Sequence, residues 1–148
     1  MSAGNEISGP CRPEVATAYG QLAAPVRDAL LSVRELIFTT VMELPATGGV
    51  REYLAWGQPA YRPLRDGVGT AIRLGEHGPG VPALLVHCRT SLIQEFRSFA
   101  ARMDFRGRRA VLLDPGGPLP LAELRIMIEL AFSYHERRGG MVHAGATG

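Results

Sequence analysis

Apolar residues in this chain recur first at spacings of three and four, then alternate with polar ones, then return to helical spacing near the end. Val26, Leu30, Val33, Ile37, Val41 and Leu44 form one stripe, with Ala29, Leu36 and Thr40 beside it. That pattern predicts a helix from Pro25 to Leu44, with Arg27, Asp28, Arg34 and Glu35 on its wet side. Pro45 and the Gly48-Gly49 pair end it. A shorter helix is predicted from Pro13 to Gln21, since Pro suits a first helical turn and Gly20 weakens the end. Residues 1–12 read as a flexible leader and 139–148 as a tail, with 13–138 as a single domain.

From Val50 to Gln58 the period falls to two. Glu52, Leu54, Trp56 and Gln58 would share one face of a strand, with Tyr53, Ala55 and Gly57 on the other. Pro59 has no N–H to give a ladder, so this strand is expected to lie at an edge or to stop there. Arg65-Asp66-Gly67 is a turn signal, Thr70–Leu74 a strand, Gly75–Pro82 a loop, and Ala83–Cys88 an apolar run of strand length. No helix separates these segments, so antiparallel pairing is expected. Ser91 and Gln94 form a capping-box pattern ahead of Leu92, Ile93, Phe96, Phe99, Ala100 and Met103 at helical spacing, closed by Gly107. Ala110–Asp114 predicts one more strand. The last helix is expected from Leu119 to Arg138, largely buried through Leu124, Met127, Ile128, Ala131, Phe132 and Tyr134. The sum is an α+β fold, a small antiparallel sheet packed by N-terminal helices and a buried C-terminal helix.

Composition narrows the function classes. The chain has 148 residues, 46% hydrophobic and 20% charged, which suits one folded domain. No apolar run approaches the ~20 residues of a membrane span, and no signal peptide is visible, so the expectation is a cytoplasmic protein. A net charge of +2 gives no argument for nucleic acid. Every basic residue is Arg, which excludes Schiff-base chemistry and a P-loop lysine. The two cysteines, Cys11 and Cys88, read as free thiols, with Cys88 as a small buried hydrophobe.

Candidate chemistry is sparse. His87 and Cys88 are adjacent, so in a strand they would point to opposite faces and could not share a metal. His87, with Ala83 and Leu85 on its face, reads as a half-buried, hydrogen-bonded imidazole, or else as a ligand or an acid/base. Arg106, Arg108 and Arg109 flank Gly107 and read as a solvated turn, although phosphate binding is an alternative. Trp56, Gln58, Tyr61, Arg73 and His87 could together line a concave site for a small anion-bearing ligand. The plainer alternative makes Trp56 and Tyr61 core residues.

Trp56-Gly-Gln58-Pro59-Ala-Tyr61 also carries a resemblance, as do Gly69–Leu74, Leu85–Thr90, Phe105–Asp114 and Leu130–His135. Over about Val15 to His135 the chain resembles the YdhG-like family, a bacterial domain whose biochemical role is mostly unassigned. The resemblance implies a sandwich likened to the frataxin fold, and one branch is described as an iron chaperone for iron–sulfur cluster assembly. Here the Pro25–Leu44 helix carries only Asp28, Glu35 and Glu43, interleaved with Arg27 and Arg34, a sparse ridge for a cation that prefers oxygen ligands. The expectation is therefore a small-ligand or partner-binding module without a cofactor. An iron chaperone is the alternative, and an enzyme with His87 as acid/base a third. Homodimerisation through a sheet edge is left open.

Overall fold

A computed structural model describes residues 11–139; most of the expected leader and tail lies outside them. The fold is α+β, with one six-stranded antiparallel sheet. In chain order come α1 (Pro13–Gly20), α2 (Ala24–Val41), β1 (Val50–Ala55), β2 (Gln58–Pro63), β3 (Ile72–Glu76), β4 (Pro82–Val86), α3 (Leu92–Phe99), β5 (Asp104–Arg106), β6 (Ala110–Leu112) and α4 (Leu121–Phe132). The sheet order is β1-β2-β3-β4-β6-β5.

Strand alternation gives the sheet two unlike faces. On one, the register aligns Glu52, Tyr61, Ile72 and Val86, and beside them Leu74, Leu84, Val111 and Phe105. All of these but Glu52 pack with Val26, Leu30, Val33 and Ile37 of α2 and Leu124, Met127 and Ile128 of α4 into the main core. On the other face one row crosses all six strands: Tyr53, Ala60, Arg73, Leu85, Ala110, Arg106. Its apolar cluster is small and strand-borne, made of Ala83, Leu85 and Ala110 with Leu112.

The helices follow the apolar spacing closely. α1 starts on Pro13 and buries Val15 and Tyr19. α2 buries the expected stripe but ends at Val41, not Leu44. Leu44 precedes Pro45 and takes an extended φ of −124°, because the proline ring clashes with a helical predecessor. Arg34, expected on the wet side, is buried. α3 forms, but the capping box does not: Ser91 Oγ donates to Glu95 Oε2 at 2.9 Å, and Leu92 N–H reaches Thr90 Oγ1 at 3.4 Å.

The strands depart further from the pattern. The expected strand Val50–Gln58 is a hairpin that reverses at Trp56-Gly57, and β2 follows with Pro59 and Pro63 inside it. Trp56 and Gly57 have φ of 57° and 74°, the pair of positive values that a type I′ turn requires. β1, which covers most of the expected strand, does lie at the sheet edge, but Pro59 neither ends it nor lies there, since it sits within β2. It is tolerated because pairing with β3 begins one residue later, at Ala60. β3 runs two residues later than expected, and β4 stops at Val86, leaving His87 and Cys88 beyond the ladder. β5 occupies residues expected in the run up to Gly107, which instead turns the β5–β6 hairpin at φ 58°.

The last helix is broken at Ser133 and resumes over residues 134–139. The segment joining β2 to β3 packs against the break. Thr70 N–H donates to Ala131 C=O and Glu136 N–H to Val68 C=O, both at 2.8 Å, so helix groups freed at the break find partners in that segment. Gly69 lies flat on the helix backbone, where an added Cβ would stand 2.4 Å from Phe132 C and O. Only glycine fits there.

Candidate functional site

The five sequence candidates separate onto the two faces of the sheet. Tyr61 belongs to the core face and is fully buried. Its hydroxyl donates to Glu52 Oε2 at 2.8 Å and stands 2.6 Å from the Tyr19 hydroxyl. Arg34 completes the group, with Nε 2.6 Å from Glu52 Oε2, Nη2 3.3 Å from Oε1, and its guanidinium 4.6 Å from the Phe38 ring centroid. Burial raises the pKa of both Tyr19 and Tyr61 well above the ordinary phenol value. Burial opposes the charge on Arg34, but the bonds to Glu52 outweigh it and hold the guanidinium firmly protonated. This network ties α1, α2, β1 and β2 together, and all four of its side chains are buried on the core face. Tyr61 therefore leaves the candidate site.

Trp56, Arg73 and His87 meet on the opposite face. With Tyr53, Ala55, Thr70 and Ala71 they line a shallow hollow of about 180 Å³. Gln58 stands beside it and orients Arg73, whose Nη1 donates to Gln58 Oε1 at 2.6 Å. The amide of Gln58 in turn lies over Gly75, where an added Cβ would be 2.3 Å from its Nε2. Gly75 thus makes room for the group that aims the arginine.

The electrostatics of Arg73 are unusual. Partial burial strips water from the guanidinium and the nearby Arg109 charge repels it, and both lower its pKa. Among the described residues no carboxylate pairs with it. His87 is exposed, correcting the half-buried reading. Its Nδ1 accepts the Arg89 N–H at 3.0 Å, which leaves Nε2 as the protonated, donating nitrogen of the neutral ring. Cys88 is exposed too, since the strand ends before it.

Trp56 is the outlier. The sole tryptophan of the chain is 88% exposed and holds a left-handed backbone conformation that favours Asn or Gly. It contributes nothing to the core and stands at the rim of the hollow. On β2, Arg62 lies 5.8 Å from the Tyr53 ring centroid.

The remaining ligand-type residues are dispersed. Among the described residues no three of His, Cys, Asp and Glu come together in a way that could hold a metal ion. On α2, Asp28 stands 3.8 Å from Arg27, and just beyond the helix Glu43 pairs with Arg125. No helix among the described residues is long and apolar enough to cross a membrane. Sequence reasoning missed the Arg34–Glu52 pair, whose partners lie 18 residues apart on different elements. Comparison with protein-family models, with curated proteins and with solved structures finds no match to this chain.

Proposed function

We propose that this protein is a binding module for a small planar carboxylate, held on the open sheet face between Trp56, Arg73 and His87. The observation that carries the proposal is Arg73: a part-buried cation, repelled by Arg109, aimed by Gln58 and lacking a carboxylate partner among the described residues. A bound anion would supply the missing charge. The guanidinium fork suits two carboxylate oxygens, His87 Nε2 can donate to one of them, and Trp56 offers a flat apolar wall. The hollow is lined by no carboxylate or thiol, so the lining supports capture of a ligand more than its turnover. This reading keeps the binding-module expectation drawn from Trp56, Gln58, Arg73 and His87, without Tyr61.

The sole tryptophan makes the test direct, because its fluorescence reports on the site alone. Benzoate is expected to change Trp56 emission saturably, whereas benzamide, with the same ring and no charge, is not. Arg73→Met should weaken the benzoate response by about tenfold or more, the effect of losing a charge-assisted pair. Equal responses to benzoate and benzamide, or an unaltered response in the variant, would remove the anion from the proposal.

A further inference from the structure

A second basic hollow lies around the start of α3 and shares no lining residue with the first. It encloses about 590 Å³ and is lined by Arg89, Arg97, Arg108 and Arg138 with Ser91 and Tyr134. The four arginines come from four places: the turn after β4, the body of α3, the β5–β6 turn and the last helical segment. None has a carboxylate partner among the described residues. Arg138 donates instead to Ser91 Oγ at 3.2 Å and stands 5.0 Å from the Tyr134 ring centroid, while Arg97 stands 5.3 Å from that of Phe105. Glu95, which could have neutralised one of them, is already committed to Arg137 at 3.1 Å and to Ser91 Oγ at 2.9 Å.

We infer that this hollow binds a small molecule bearing a diphosphate or triphosphate. Four guanidinium groups around one space, without a counter-charge, call for a ligand of three to four negative charges. A single carboxylate or one phosphate leaves most of that charge unmatched. Guanidinium forks fit phosphate oxygens bidentately, and four of them arriving from different directions suit the several oxygens of a phosphate chain. The volume lies within the range of small-ligand sites and exceeds what one phosphate fills. A nucleic-acid strand is disfavoured because the lining aromatic, Tyr134, is buried and offers no exposed ring for a base to stack on. The amino-terminal end of α3 adds positive potential, but the arginines define the site.

Calorimetric titration at constant ionic strength with pyrophosphate, ADP and inorganic phosphate tests this. Arg108→Gln and Arg138→Gln probe the hollow, and Arg51→Gln, an exposed arginine on β1, removes the same charge elsewhere. Pyrophosphate and ADP should bind saturably, each hollow variant weakening them by about tenfold and Arg51→Gln by less than about twofold. Circular dichroism of each variant checks that the fold is kept. Equal affinity for ADP and pyrophosphate would assign recognition to the phosphates alone, and tighter ADP would add its nucleoside; both support the site. Absence of saturation with either, equal weakening by Arg51→Gln, or inorganic phosphate binding as tightly as pyrophosphate would overturn it. Binding here should leave the benzoate response of Trp56 intact, so the two sites fail or stand separately.

Discussion

The two faces of the sheet use the same kinds of residue to opposite ends. On the core face Arg34 meets Glu52, Tyr61 and Tyr19 close behind, and every member of that group has a partner. On the open face Arg73 meets the neutral Gln58, the Tyr53 phenol and the repelling Arg109, with no carboxylate partner among the described residues and Trp56 and His87 exposed nearby. A buried ion pair with its hydrogen bonds complete holds elements in place. A cation left without a counter-charge contributes little to the fold and keeps its bonding capacity for something else. The difference in partners distinguishes the two faces better than residue type does, since Arg, Tyr or Trp, and a polar partner occur on both.

The sharpest way to break this contrast is to disable the buried pair. Glu52→Ala leaves Arg34 charged and buried without its carboxylate, and should cost about 3–5 kcal/mol in a denaturant titration. Replacing both partners at once, Arg34→Met with Glu52→Leu, should recover much of that loss, because neither charge then needs solvation. A double variant as unstable as the single one would mean that the pair fixes the arrangement of the helices and sheet beyond its own electrostatics. The same cut on the open face, Arg73→Met, should change stability by less than about 0.5 kcal/mol.

A pH series sharpens the comparison with a smaller effect. Tyr19 and Tyr61 ionise near pH 10 once unfolded, but burial holds them protonated in the folded chain to higher pH. Above pH 10 the folded state therefore binds more protons than the unfolded one, and stability falls as pH rises. Below pH 10 both states keep the phenol protons, and the contribution is fully present. Each tyrosine adds a slope approaching about 1.4 kcal/mol per pH unit. The Cys11 thiol, raised by burial from 9.0, acts in the same direction from slightly lower pH. Tyr19→Phe should reduce the alkaline slope by one tyrosine's share. A slope unchanged in that variant would show that its hydroxyl titrates alike in both states.

Much of the fold was legible in the sequence, and the failures share a physical cause. α2 and α4 declare themselves because a long stripe at helical spacing has few other uses, and α1 through the proline that opens it. The β1–β2 hairpin did not, because a Trp-Gly turn lacks the usual Asn-Gly signal and alternation can be counted straight through it. The reversal puts Gln58 opposite Ala55 and so carries Gln58 to the face of Arg73, away from Leu54. Arg34 looked solvated because a charge on a helix reads as wet until its partner is known, and that partner lies on a strand. Arg89, Arg97, Arg108 and Arg138 were invisible as a group, since only the fold gathers them. At the open face, Trp56, Arg73 and His87 were nameable as residue types, while the departure of Tyr61 depended on a register that spacing did not give.

The smallest expected effect bears most directly on why the open face is built as it is. Trp56 sits at φ 57°, where a side chain other than Asn, Asp or Gly is strained by about 1 kcal/mol, and its ring recovers almost none of that by burial. Trp56→Asn should therefore raise stability by roughly 0.5–1 kcal/mol, against the usual cost of losing an aromatic residue. The same variant should weaken benzoate binding measured by calorimetry, since one wall of the hollow is gone. Gain of stability with loss of binding is the signature of a residue kept for its contact with a ligand. If the variant instead lost several kcal/mol, as a core aromatic does when truncated, Trp56 would belong with Tyr61 among the structural residues. The distinction between the two faces would then rest on Arg73 alone.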